Sequence, residues 1–222
     1  MNLSDTWQTW LRVLTNPNEV TFEAERQKPG ASLATAAIWM VIAGLITGVV
    51  GFLQSMMMAG AMQGAIPQLL AQLDLPPETE AQLTPLLNSG ALGGMGAANL
   101  WAIVSVPLGF LIGVGILWLL ARLLGGTGEY GRYAYLMAAF AAPLTILSAL
   151  LGLIPLAGSC IAFIVYIYQL VLTYYATKVE HQLSSGRAIT VVLIPVIVVL
   201  LLILCFGFLL VGMLATLMQV GS

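Results

Sequence analysis

Charge is what this chain most lacks. Only 7% of its 222 residues are Asp, Glu, Lys or Arg, against about 25% in an ordinary soluble domain. No Lys or Arg occurs between Lys28 and Arg122, and no charge of either sign follows Arg187. The seven basic residues form no patch and the net charge is −2, so a nucleic-acid interface is not indicated. Histidine is reduced to His181, in a polar segment, where it reads as a solvated or membrane-surface residue rather than a catalyst. The two cysteines, Cys160 and Cys205, sit inside apolar runs and read as buried free thiols, with no CxxC spacing for metal or redox work. A Ser-His-Asp set, HExxH and a plausible acid pair are all missing, so neither enzymatic activity nor a cofactor is expected. Met56, Met57, Met58 and Met62 have no His or Cys nearby to complete a soft-metal site, and read as gap-fillers.

Apolar residues take the place of charge. They make up 60% of the chain, and the mean hydropathy is +1.00. Water is not the solvent of most of such a surface. The expected fold is an all-α, polytopic integral membrane protein with five transmembrane helices and an N-terminal amphipathic interfacial helix. The spans are placed at about 33–57, 99–121, 135–153, 160–177 and 188–212, each near the length a bilayer core requires. They fall within a membrane domain of residues 31–218 that follows an amphipathic region at 1–30. The N-terminus lacks a basic n-region and the first apolar run starts only near Leu33, so no cleavable leader is expected.

Before the first span, residues 1–15 read as a helix with Leu3, Trp7, Trp10, Leu11 and Leu14 on one face. Two tryptophans there suit a helix lying at headgroup level. Asn16 is read as the N-cap of a second helix, with Pro17 in its first turn. Its Glu19, Glu23, Glu25, Arg26 and Lys28 are expected to form a solvated face. Residues 59–98 contain acids but no Lys or Arg and read as an external loop with two short amphipathic helices. Gly44 and Gly48, extended by Gly51, and then Gly109 and Gly113 give two GxxxG pairs. These serve packing within one chain or a homo-oligomer. The fifth span is longer than one crossing, so its helix is expected to tilt, break or protrude, with Gly207 and Gly212 as the places for a break. Trp101 and Trp118 read as interfacial anchors of the second span.

Five spans place all seven basic residues on one side: Arg12, Arg26, Lys28, Arg122, Arg132, Lys178 and Arg187. By the positive-inside rule the N-terminus is cytoplasmic and the C-terminus extracytoplasmic. Asp, Glu, Lys, Arg and His are absent from the placed spans, which argues against a proton-coupled or ion-coupled transporter. Tyr166, Gln169 and Thr173 share one face of the fourth span and form a candidate intramembrane polar face. With Thr145 and Ser148 they leave a passive pathway open.

The charged turn at 123–135 contains Gly126-Thr-Gly128-Glu-Tyr-Gly131, a GxGxxG match by letter. A dinucleotide site needs a preceding strand and a soluble βαβ unit, and here an apolar helix precedes. The glycines are read instead as permitting positive φ in a tight turn. Tyr130, Tyr133 and Tyr135 are expected at the headgroups, and Arg122 and Arg132 on lipid phosphates. The candidate surface for a cytoplasmic protein partner or membrane lipid is therefore Trp7, Trp10, Arg12, Arg122, Gly125, Gly126, Tyr130, Arg132, Tyr133 and Arg187.

Several stretches together resemble the Yip domain family, the Ypt/Rab-interacting membrane proteins. They are Trp10-Leu-Arg-Val-Leu-Thr-Asn-Pro17 with Phe22, and Ala121-Arg-Leu-Leu-Gly-Gly126 with Tyr130, Arg132 and Tyr133. Ala142-Pro143-Leu144 and the Lys178–Ile189 segment complete the set. The resemblance runs from about Trp10 to Leu210. It implies a five-span domain and a non-enzymatic scaffold of membrane organisation or trafficking. The Asp-Leu-Tyr-Gly-Pro motif of the eukaryotic branch is replaced by Leu14-Thr-Asn-Pro17. The chain therefore resembles the prokaryotic branch, which implies a plasma-membrane location, and Rab binding does not carry over.

Overall fold

The computed structural model describes residues 3–72, 99–154 and 157–220. Among them are seven α-helices and no strand: α1 (Leu3–Thr15), α2 (Glu19–Arg26), α3 (Leu33–Gln72), α4 (Ala102–Leu123), α5 (Tyr130–Leu151), α6 (Ala157–His181) and α7 (Ser185–Val220). Five segments are long and apolar enough to cross a membrane: Leu33–Met57, Ala102–Leu123, Tyr130–Leu151, Cys160–His181 and Ser185–Leu209. The chain is an integral membrane protein with five spans. The expected external segment at 59–98 lies outside the described residues beyond Gln72.

On the charged side the helices extend beyond the expected span ends. α5 begins at Tyr130 rather than near 135, and α6 runs through Lys178, Glu180 and His181 before ending. The reason is that the charged residues of these turns find partners within the protein. α7 runs unbroken through Gly207 and Gly212; one interior glycine costs a helix only about 1 kcal/mol. At 1.5 Å per residue, α3 and α7 reach about 60 and 54 Å, well beyond a bilayer core of about 30 Å.

α5 is the centre. Every residue from Tyr133 to Ala142 is buried, and five of them are alanines, which let neighbouring helices approach on all sides. α3 and α6 pack on α5, α4 packs on α3, and α7 packs on α6 and α4. The first GxxxG works within the chain. A Cβ on Gly44 would stand 3.0 Å from the Ala102 carbonyl oxygen, and one on Gly48 would stand 3.2 Å from Ile103. Gly109 and Gly113 have nothing within 4 Å of the Cβ position. Outward, α4 and α7 expose leucine, isoleucine, valine and phenylalanine along their spans, as lipid contact requires. Cys160 and Cys205 are free, as expected, but exposed rather than buried, Cys160 on α6 and Cys205 on the outward face of α7.

The N-terminal helices depart most from expectation. α2 starts after Asn18, whose side chain accepts the Thr21 amide; Asn16 instead continues the end of α1 through its amide to the Arg12 carbonyl. α2 is not a solvated face, since Phe22 and Glu25 are fully buried. Phe22 lies between Phe140 and Tyr175, at centroid distances of 6.3 and 6.2 Å. The apolar face expected on α1 is split. Val13 is buried, and Trp10 and Leu14 pack on the core with it, while Trp7 and Leu11 stay exposed. The helix is rotated so that Thr9, a polar residue, faces inward, because a buried carboxylate waits for it there.

Candidate functional site at the charged end of the bundle

That carboxylate is Glu25. It is fully buried and gathers partners from α1, from α5 and from the segment that follows α2. Arg12 lies 3.1 Å from one oxygen, while Lys28, the Tyr135 hydroxyl and the Thr9 hydroxyl lie 2.6, 3.2 and 3.3 Å from the other. Lys28 also donates to Thr9 at 2.8 Å. A buried charge is tolerated when paired and hydrogen-bonded, and Glu25 has both. Tyr168 donates to the Leu14 carbonyl, and Lys178 pairs with Glu19. α1 and α2 thus form an ordered cap on the bundle. On its rim Arg26 grips Glu23 at 2.7 and 2.9 Å; these bonds hold the Glu23 carboxyl below the usual carboxylate range and raise Arg26. Between α1 and the start of α3 lies a cavity of about 600 Å³, with Arg12 and Lys28 on its polar side and Trp39 and Ile38 on its apolar side.

A second hub closes the end of α6. Glu180 is buried and accepts the Glu129 amide at 2.8 Å and Arg132 at 3.4 Å. His181 is also buried, 1% exposed, which corrects its expected place at the surface. Tyr133 packs edge-on against it at 4.8 Å, and the glycine turn lies over it. A Cβ on Gly126 would stand 2.8 Å from the Ala121 carbonyl oxygen and from the His181 Cβ. One on Gly128 would stand 2.8 Å from His181 Nδ1. These two glycines serve close packing; of the glycines in this turn, Gly125, at φ +92°, is the one that uses the left-handed backbone region. Trp118 fastens the turn by donating to the Gly128 carbonyl at 3.0 Å, so it is a tie rather than a free anchor.

The expected headgroup tyrosines are core residues. Tyr133 pairs with Thr177 at 2.8 Å, Tyr135 reaches Glu25, and Tyr130 donates to the Leu111 carbonyl at 3.0 Å. Arg132 is occupied by Glu180 and Glu129. The candidate surface therefore divides. Trp10, Tyr130, Tyr133 and Gly126 are structural, and Arg12 and Arg132 neutralise buried or neighbouring acids. Trp7, Arg122, Gly125 and Arg187 remain on the outside.

Inside the bundle the structure brings together the three residues of the expected polar face. Tyr166, Gln169 and Thr173 line one open cavity of about 310 Å³, whose other walls are apolar residues, chiefly of α4, α5 and α7. Thr173 donates to the Gln169 carbonyl at 2.8 Å. The expected contributors Thr145 and Ser148 are not in its wall.

Sequence reasoning missed Glu25, Glu180, Tyr135 and His181 as buried centres. One signal was present for Glu25. It lies three residues after Phe22, so an inward phenylalanine on α2 carries the glutamate in with it.

The sequence model of the Yip1 domain covers residues 11–207. The chain belongs to the Yip1 domain family. The match opens within α1 and closes within α7, so the Yip1 domain here includes the cap as well as the spans. No curated protein and no solved structure matches the chain.

Proposed function

We propose that this Yip1-domain protein is a non-enzymatic membrane scaffold. Its α1–α2 cap lies on the cytoplasmic side at headgroup level and presents a surface to bilayer lipid and to a cytoplasmic partner. One observation carries the reading: the cap is fastened to the bundle by buried Glu25, while Trp7 (59% exposed), Leu11 and Val20 (79% exposed) are left outside. An interior tie that holds apolar groups outward is the form of a docking surface. The basic residues at this end support the cytoplasmic placement. Removing residues 1–28 is an unsuitable test, because Phe22 and Glu25 are core. A photoreactive residue at Leu11 in native membranes is expected to cross-link a specific protein or lipid. Cross-links confined to the chain itself overturn the reading.

A passive pathway for a small solute or lipid is the second reading, supported by the cavity that Tyr166, Gln169 and Thr173 share. Gln169 is twelve residues from the end of α6, about 18 Å along the helix and near mid-bilayer. Gln169→Leu is expected to abolish solute flux in vesicles under this reading and to leave the scaffold role intact.

A further inference from the structure

The seven basic residues all stand at one end, but they are not equivalent. Five are paired with carboxylates: Arg12 and Lys28 with Glu25, Arg26 with Glu23, Arg132 with Glu180 and Glu129, and Lys178 with Glu19. Arg122 and Arg187 have no carboxylate partner among the described residues. They flank the same turn. Arg122 closes α4, and its guanidinium lies 5.0 Å over the Trp118 ring. Trp118 is itself fixed by its bond to Gly128. Arg187 lies in the first turn of α7, and a Cβ on Gly125 would stand 3.3 Å from its Nη1. A glycine with φ +92° is therefore what lets Arg187 cross the turn. α4 and α7 are joined beneath by Ala121, Leu183, Ala188 and Val191, which sets the two arginines on a rigid base.

The α4 carbonyl end does not use these cations. The Gly125 and Gly126 amides already bond the Arg122 and Ala121 carbonyls. Immediately below, Leu119 and Ile189 are 54% and 46% exposed, the environment of acyl chains. Two uncompensated guanidiniums thus stand where apolar surface gives way to the end of the spans. Guanidinium forms paired hydrogen bonds with phosphate oxygens, and the first turn of α7 adds a favourable dipole for an anion.

We propose that Arg122, held over Trp118, and Arg187, held over Gly125, bind the phosphate of an anionic phospholipid. The site deepens the scaffold reading and rests on its placement of this end at headgroup level. The probe is dioleoylphosphatidylglycerol added to the full chain in detergent, with bound lipid counted by native mass spectrometry. Arg122→Ala with Arg187→Ala is expected to weaken the tightest lipid about thirtyfold, the effect of two basic residues near an anionic surface. Both side chains are exposed, so the thermal midpoint should stay unchanged. Arg26→Ala, which removes a paired cation, should keep the lipid. Retention by the folded double variant overturns the proposal. Displacement of the lipid by equimolar inorganic phosphate overturns it in favour of a free anion. A cysteine at Ser184 that a water-soluble maleimide cannot reach from either side of vesicles would instead overturn the headgroup placement itself.

Discussion

Glu25 shows how one residue organises its surroundings. Its carboxylate receives donors from α1, from the residues after α2 and from α5, with no solvent exposure. Arg12 and Lys28 keep 47% and 34% of their side-chain surface open, so each can turn to water if the acid is lost. Glu25→Ala is expected to destabilise the protein by about 2–3 kcal/mol, the range for losing hydrogen bonds to a charged group, and Glu25→Gln by less. Thermal unfolding in detergent measures the loss. Trypsin should then cleave at Arg12 in the variant before the bundle unfolds, because the same acid fastens α1.

At the scale of the helix, small residues sort into those that pack and those that do not. Gly48→Leu is expected to cost about 1–3 kcal/mol by overpacking against Ile103 and the Asn99 carbonyl oxygen. Gly109→Leu, with open space around it, should leave the melting temperature unchanged; an equal loss at both positions would refute this division. The helices themselves were legible in the sequence, because a bilayer demands long uncharged runs and the chain supplies five. Their charged ends and the two hubs were not. A lone Glu or His near a predicted turn reads as solvated unless its partner is known. Tyr135 meets Glu25 across 110 positions, and Glu129 meets Glu180 across 51. Local periodicity carries no such pairing. The polar face of α6 was legible, since Tyr166, Gln169 and Thr173 follow helical spacing, and the structure gathers all three at one cavity.

For the whole molecule, the decisive property is that all seven basic residues stand at one end while both cysteines lie on exposed faces within the spans. In right-side-out membrane vesicles, a single cysteine at exposed Ser184 should react with an impermeant maleimide only after the interior is opened. Native Cys160 and Cys205 should react slowly in either case, since a charged, water-soluble reagent does not enter hydrocarbon. Immediate labelling at 184 would invert the orientation. A reporter active only in the cytoplasm should likewise be silent when fused after Ser222.

The long-range ties of the cap also impose an order of assembly. α1 and α2 leave the ribosome first, yet Tyr135, Tyr168 and Lys178, which hold them, follow 110 to 159 positions later. Through the synthesis of the first two spans, Phe22 and Glu25 have no home. A segment made before the spans is therefore completed only after four of them, and its closure reports that the third and fourth spans have been inserted. A nascent chain with a missing span displays an unsheltered N-terminus, a visible mark for the cell's quality control.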